Sequence, residues 1–375
     1  MRILFVCENY LPHYGGAEVV FKNLAEGFVK QGHKVSLITQ KLKGTKSFEK
    51  INDVSVYRVK SLNSRYIFTF SSLFKVLKLA RNHDVIQTTT FNGAFPSWFA
   101  SKILNKPVCL TVHEVWVNKW NKVTNLNRFG CFVHNILEKL IYKLKFDKYV
   151  CVSNATKKDL LNLSISKNRV ITIHNGLDYQ FWHPKNFNGQ KVLTILGLKN
   201  NFVCFSWGRP GPSKGFEYLI RAVPLIIKEI KNFKLVLMWG SKDKYPQQHK
   251  KLKQIIKELN IGPWVKIIPS LPYSELGNYI SAADCVVIPS LAEGFGYNVV
   301  EAVALNKVIV ASEVGSIPEV ISGEYVLTKT KSPQSIAMGI KNVPLKKTIK
   351  TKKKMFPWDK AILSYLETYK ELFNK

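Results

Sequence analysis

Residues 3–39, ILFVCENYLPHYGGAEVVFKNLAEGFVKQGHKVSLIT, decide the fold. Ile3–Cys7 is an unbroken apolar run of strand length, and a loop, ENYLPHYGG, follows it. From Ala17 the apolar positions fall at 17, 20, 21, 24, 25 and 28, the spacing of a helix with one buried stripe. Gly32 stops that helix, and Lys34–Thr39 resumes as a strand. Strand, helix, strand in this order make a βαβ unit. Its strands run parallel and are covered on both faces, so they read as continuous rather than alternating apolar runs.

Working outward, Val85–Gln87, Val108–Thr111 and Tyr149–Val152 read as further strands of the same kind. A second series opens at Val203–Trp207 and continues through a helix at Tyr218–Lys231. Strands at Lys234–Met238, Val265–Ile268, Cys285–Ile288 and Val308–Ala311 follow. A chain of 375 residues exceeds one ordinary core, and domains of roughly 150–200 residues are expected. Asp178–Leu193, with Pro184, Gly189 and several Asn, reads as the linker. The expected architecture is α/β: two tandem Rossmann-like, doubly wound parallel-sheet domains facing a central cleft. They span residues 1–182 and 183–355, and a terminal helical segment, 356–375, follows Pro357.

Composition narrows the function. With 46% hydrophobic and 22% charged residues, the chain is an ordinary globular protein. No apolar run reaches the roughly 20 residues of a membrane span, and MRILFVCENY is too short an apolar stretch for a signal peptide. A cytoplasmic protein is therefore expected. Six scattered cysteines without a CxxC read as buried thiols, and eight histidines without an HxxH or HxxxH pair argue against zinc.

The net charge of +31 is extreme, and it is spread evenly: 27 basic against 11 acidic residues in 1–180, and 29 against 14 in 181–375. Lys341–Lys354 is the densest run, with seven Lys and no acid. Such a surface attracts anionic membranes, phosphorylated substrates or nucleic acid, although a Lys-rich amino-acid usage produces part of it with no function attached. Nucleic acid is the weaker reading, because no recognition module is present and only 8 Arg occur.

The chemistry is concentrated in AEGFGYNVVEA, residues 292–302. The strand Cys285–Ile288 ends just before it, and a helix begins near Tyr297. Ligands of open α/β sheets bind at this carboxyl edge. Gly294–Phe295–Gly296 lets backbone N–H groups come close, and the start of the helix (Tyr297, Asn298, Val299) adds a positive dipole, so the segment reads as a phosphate seat. Carboxylates accept hydrogen bonds from hydroxyls. Glu301 is therefore placed on a ribose and Glu293 on a hexose at either side of a pyrophosphate, the pattern of a nucleotide-sugar. The competing readings are a dinucleotide fingerprint and a pair of solvated helix charges. The fingerprint lacks its third glycine, which is Val299 here, although Glu313 stands where a ribose-binding acid belongs.

Arg209 and Lys214, in GRPGPSKG after the second domain's first strand, supply two cations for a diphosphate leaving group. Gly15–Gly16 opens the first helix, and His113–Glu114 follows the strand ending at Val112; both point to the cleft. In GSIPE (315–319), Glu319 is read either as a helix cap or as a group that helps hold the nucleotide. No Asp-x-Asp occurs, so metal independence is expected, with no cofactor beyond a UDP-, GDP- or ADP-sugar as donor. Arg128–Phe146 carries an apolar stripe of Phe129, Phe132, Val133, Ile136, Leu137, Leu140, Ile141 and Leu144. Lys139, Lys143, Lys145 and Lys148 stand beside it. A core helix packing on its sheet is the first reading, and a helix lying on an anionic membrane is the second.

These residues resemble a family 4 glycosyltransferase. The matching stretches are GGAE (15–18), TVHE (111–114), VSNAT (152–156), HNGLD (174–178), GRPGPSKGFEYLI (208–220), SAADCVVIPSLAEGFGYNVVEA (281–302), with its E-x7-E spacing, and GSIPEVI (315–321). They run through nearly the whole chain. The resemblance implies a GT-B fold and retaining transfer of a hexose from a nucleotide-diphosphate sugar. It places Lys214 and Arg209 on the phosphates and His113 on the donor sugar, and packs the last helix toward the first domain. The Gly-Pro-Ser between Arg209 and Lys214 departs from the family's usual turn. A glycan or lipid-linked acceptor on the first domain is expected, with an epimerase of the same fold as the alternative. The base, hexose, linkage and oligomeric state stay open.

Overall fold

The structure, a computed structural model, describes residues 1–13, 15–62, 64–240 and 245–373. Tyr14 of the expected glycine loop and residues 374–375 of the expected terminal segment lie outside them. The chain divides into two compact units: Met1–Asn118, Arg128–Gly176 and Phe356–Lys375 in the first, Lys119–Asn127 and Leu177–Met355 in the second. The division thus falls after Gly176 rather than after Trp182, and a short insert, 119–127, belongs with the second unit. Burial explains the shift. Trp182 is fully buried, its ring against Phe187 and Tyr273 of the second unit. The supposed linker is part of that unit's scaffold.

The first unit contains β1 (Arg2–Val6), α1 (Gly16–Lys30), β2 (Lys34–Gln40), β3 (Phe48–Ile51), β4 (Val54–Val59), α2 (Arg65–Ser71), α3 (Leu73–Ala80), β5 (Val85–Thr89), α4 (Ala94–Leu104) and β6 (Val108–Val112). After α5 (Trp120–Val123), which sits in the second unit, it resumes with α6 (Arg128–Lys143), β7 (Lys148–Cys151), α7 (Asn154–Leu161) and β8 (Val170–Thr172), and it ends with α15 (Trp358–Phe373). The sheet order is β3-β4-β2-β1-β5-β6-β7-β8, parallel except where β3 runs against β4. Strand β1 is wholly buried from Ile3 to Val6, as a strand covered on both faces must be.

Helix α15 closes this unit. Tyr369 Oη donates to Gln87 Oε1 at 2.8 Å, Tyr365 Oη meets Thr111 Oγ1 at 3.0 Å, and both rings pack edge-on against Phe28 of α1. Gly27 lets the two helices touch, since a Cβ there would overlap Ile362. Lys148, expected among the surface lysines, is buried and pairs with Glu371 of α15 at 3.1 Å.

Helix α6 follows the first reading of its stripe in part: Ile141 and Leu144 pack on the core of the sheet beside Tyr142, but five other stripe residues face outward. Its inward face is Cys131, Glu138 and Tyr142, whereas Phe129, Phe132, Ile136, Leu137 and Leu140 are exposed. The buried Glu138 fixes this orientation by accepting the Trp116 N–H at 2.9 Å. A buried acceptor with a backbone donor holds its place, and apolar residues on the opposite arc are then turned outward.

The second unit contains α8 (Gly189–Leu196), β9 (Phe202–Gly208), α9 (Phe216–Ile226), β10 (Phe233–Trp239), α10 (Pro246–Glu258), β11 (Val265–Ile268), α11 (Tyr273–Ala282) and β12 (Cys285–Ile288). It continues with α12 (Tyr297–Ala304), β13 (Val308–Ser312), α13 (Ile317–Val320), β14 (Glu324–Thr328), α14 (Pro333–Asn342) and β15 (Ile349–Lys350). Its sheet order is β11-β10-β9-β12-β13-β14-β15, parallel but for β15. In each sheet the chain order reverses once between parallel neighbours, at β1/β5 and at β9/β12. Loops leaving the carboxyl ends of such a pair diverge and leave a crevice between them, which is where open α/β sheets bind ligands. All six cysteines are buried and unbridged.

Candidate functional site

The β9/β12 switch point brings together the two loops singled out by sequence. Residues 209–215 leave β9, and residues 289–296 leave β12. Leu291 N donates to Ser213 O at 2.7 Å, and Gly215, at φ +63°, lies so close to Pro289 O that a Cβ would overlap it. Lys214 is thereby held beside Glu293: Nζ to Oε2 is 2.7 Å, and both side chains are largely buried. Ser290 Oγ donates to the same oxygen at 3.1 Å. A third segment clamps the acid from behind. Ser316 N donates to Glu293 O at 3.1 Å, and Gly315, at φ +55°, approaches that carbonyl more closely than any side chain allows. The GSIPE motif therefore supports the loop through Gly315 and Ser316, and Glu319 lies in the first turn of α13.

Gly296 caps α12 in the left-handed conformation, φ +88°, and its carbonyl accepts from Val299 N and Val300 N. The turn is a glycine-shaped entry to a helix, as the phosphate-seat reading requires. Not every residue of it offers a group to a ligand. The Val299 side chain is buried and its N–H stays within the helix, so Val299 packs. Asn298 donates its side-chain amide to Trp207 O at 2.8 Å, which ties α12 to the end of β9. Phe295 is buried edge-on to Tyr297. Arg209 is exposed and makes no ion pair among the described residues.

Neither acid is a solvated charge. Glu301 is 4% exposed, inside α12, and Tyr273 Oη donates to its Oε1 at 3.0 Å. Trp182 Nε1 donates in turn to Tyr273 Oη at 3.1 Å. Part of the Tyr273 ring faces solvent, but its hydroxyl is enclosed by these partners, and burial pushes its ionisation well above the usual range. Burial also pushes the Glu301 carboxyl up to about 7, partly offset by the Tyr273 hydrogen bond, the Lys214 charge and the Trp207 side chain. Tyr273, Trp182 and Trp207 were invisible as site residues in the sequence, because only the fold brings them to Glu301.

A pH dependence follows. The raised carboxyl keeps its proton in the folded chain at pH values where an ordinary glutamate, at 4.5, has lost it. Its contribution to stability is fully present below about 4.5 and is lost as pH rises through about 7. Glu301→Gln keeps an acceptor for Tyr273 but does not titrate. It should gain on the wild type between about pH 5 and about pH 8, by up to roughly 3 kcal/mol. Urea midpoints measured across that range test this, and parallel profiles would refute it.

In the first unit, Gly15 caps α1 and Gly16 is its first residue, with open space where a Gly16 Cβ would be. His13 Nδ1 lies 3.2 Å from Glu18 Oε1 beside them. His113 follows β6, its ring edge-on to Phe21. Its Nε2 is buried without a hydrogen-bond partner among the described residues, and burial pushes the ring's pKa down to about 4, so it is neutral near pH 7. An orphaned ring nitrogen is costly unless something fills it. Gly176 takes the close approach of Trp358, which makes Asn175–Gly176 a packing turn.

The chain matches the model of Glycosyltransferase Family 4 over residues 14–181 and that of Glycosyl transferases group 1 over residues 194–355. It is 28% identical to an uncharacterized glycosyltransferase of Methanocaldococcus jannaschii, covering 92% of this chain and 89% of that one. With the GPI3 subunit of phosphatidylinositol N-acetylglucosaminyltransferase of Saccharomyces cerevisiae it shares 24% identity, over 87% of this chain and 71% of the relative. Among solved structures, Anabaena HepE in complex with UDP superposes with a TM-score of 0.76 at 20% identity, over 99% of this chain and 100% of that one. The two family matches take in both sheets and the Lys214–Glu293–Glu301 constellation, and the chain belongs to the family 4 glycosyltransferases, with the two Rossmann-like α/β units of the GT-B fold.

Proposed function

We propose that this glycosyltransferase moves a hexose, with retention of configuration and without a metal, from a nucleotide-diphosphate sugar to a hydroxyl of a glycan or lipid-linked acceptor. The β9/β12 switch point carries the reading: a cation, a buried and a largely buried acid and a glycine-shaped helix entry meet there. HepE, of the same fold, has been solved with UDP and with UDP-glucose, which supports a nucleotide diphosphate as the leaving part.

Lys214, Arg209 and the backbone at Gly294–Gly296 hold the diphosphate. Because Lys214 starts out paired with Glu293, an arriving diphosphate competes for the ammonium and frees Glu293 for sugar hydroxyls. Glu301, ordered by Tyr273, accepts from the ribose. In the first unit, His113 Nε2 is offered to a sugar hydroxyl and the N-terminal backbone at Gly15–Gly16 to a phosphate or sugar. The bond from the anomeric carbon to the phosphate oxygen breaks as the acceptor oxygen bonds to that carbon from the same face. The acceptor proton passes to the leaving phosphate, whose charge Lys214 and Arg209 stabilise.

A thermal-shift screen of UDP-, GDP- and ADP-sugars in chelator tests the reading. A donor at about 100 times its Kd should add about 2.7 kcal/mol of stability, and the transferred sugar should keep its anomeric configuration. No shift with any of the three, or a shift that needs a divalent metal, would overturn it. Release of an altered free sugar without acceptor would replace transfer by epimerisation.

A further inference from the structure

The first unit carries a set of apolar side chains that the donor site does not use. On α2 and the start of α3, Tyr66, Ile67, Phe70 and Phe74 are exposed, Phe70 at 69% and Phe74 at 82%. On α6 the outward arc is Phe129, Phe132, Ile136, Leu137 and Leu140, with Phe129 at 74% and Phe132 at 60%. Tyr66 links the two helices, its Oη meeting His134 Nε2 at 3.0 Å with the two rings tilted against each other. Soluble surfaces expose single apolar residues routinely, but a joined run of large ones marks a partner.

The charge around this face selects the partner. Helices α2 and α3 contain no acid, and the one acid of α6, Glu138, is buried and bonded. Arg65, Lys78, Arg128, Lys139 and Lys143 are exposed on the same three helices, and Lys145 follows α6. Lys139 and Lys143 stand within the span of the apolar arc, so their stems can lie along it with the ammonium groups at its border. Among the described residues no helix is long and apolar enough to cross a membrane. An apolar stripe on short helices whose exposed charges are all basic is the pattern of a helix lying in the interface of an anionic bilayer.

We propose that α2, the start of α3 and α6 form one face that seats on an anionic phospholipid bilayer, with the aromatic side chains in the acyl boundary and the lysines at the headgroups. The inference goes beyond the transfer reading and uses none of its residues. Helix α2 also turns inward. Arg65 Nε lies 3.5 Å from Glu8 Oε1, and Thr69 Oγ1 donates to Asn92 O at 3.1 Å, while the Asn92 amide donates to Glu8. The docked face is thus tied to polar groups at the carboxyl edge of β1 and β5.

Co-sedimentation of the full chain with vesicles tests this, using phosphatidylglycerol–phosphatidylcholine and pure phosphatidylcholine. Partition should be at least about 10-fold stronger on the anionic vesicles and should fall about 10-fold as salt is raised from about 0.05 to about 0.5 M. The double variant Phe74→Glu/Phe132→Glu should lose about 10-fold or more of the binding, and Lys139→Gln/Lys143→Gln, which leaves the packing untouched, several-fold. Equal partition on both vesicle types, or full binding by the lysine variant, would overturn the proposal. So would a wild-type dimer that the phenylalanine variant converts to monomer, since a second copy would then cover the face. Nucleotide-sugar thermal shifts recorded on the same variants keep the two readings apart: a lost shift with intact vesicle binding indicts the donor site alone.

Discussion

Lys214→Ala is expected to lower kcat by about 10²–10³ at saturating donor, because it removes the cation that meets charge developing on the departing diphosphate. The loss should exceed any change in KM, since Arg209 and the glycine turn still hold the ground-state diphosphate. The fold should survive. Lys214 and Glu293 keep only 18% and 12% side-chain exposure, so removing the ammonium leaves a largely buried carboxylate and should cost on the order of 3 kcal/mol, which a domain of ordinary stability survives. Ser290 Oγ remains to hold Glu293. Steady-state kinetics beside a melting curve separate the effects, and an unchanged kcat with saturating donor would remove Lys214 from the chemistry.

Gly315→Ala should destabilise the second unit by roughly 3 kcal/mol and lower activity about 100-fold. The residue sits at φ +55°, which costs an alanine about 1 kcal/mol before any contact is counted. Its Cβ would then stand 2.3 Å from Glu293 O, and backbone cannot rotate away as a side chain can. The loop carrying Glu293 must shift, and a shift of about 1 Å in a positioning group is enough for the loss of rate. Gly262→Ala is the control. Nothing lies within 4 Å of its Cβ, so its urea midpoint should match wild type. Equal midpoints for all three proteins would show that the Gly315 clamp is not under strain.

The contrast between these two residues shows what a linear sequence discloses. The place of Lys214 at the sheet edge was legible because it follows a buried strand through small turn residues, and the structure sets it there beside Glu293. The glycine pair at 294 and 296 was legible because a strand end followed by glycines and a helix defines a sheet edge. What Gly315 does could not be read, since its partner is a backbone carbonyl 22 residues away in the chain (315 − 293) and the contact exists only after folding. Tyr273 and Trp182 stayed hidden for the same reason: Trp182 falls in a stretch that reads as a linker, and only the fold sets its Nε1 on Tyr273 and the Tyr273 hydroxyl on Glu301. The apolar stripe of α6 was plain in the sequence, but a helical wheel has no outside. The burial of Glu138 against the Trp116 amide, not the hydrophobicity of the stripe, decided which arc met water.

Helix α15 bears on the order in which the protein can be made. Tyr365 and Tyr369 cover Phe28 and bond to strands β5 and β6, yet they are separated from that helix and those strands by the whole second unit. A nascent chain leaving the ribosome therefore leaves Phe28, Gln87 and Thr111 without their partners until α15 has emerged, by which time residues 177–355 can already have closed on themselves. The half that is synthesised first is the half completed last.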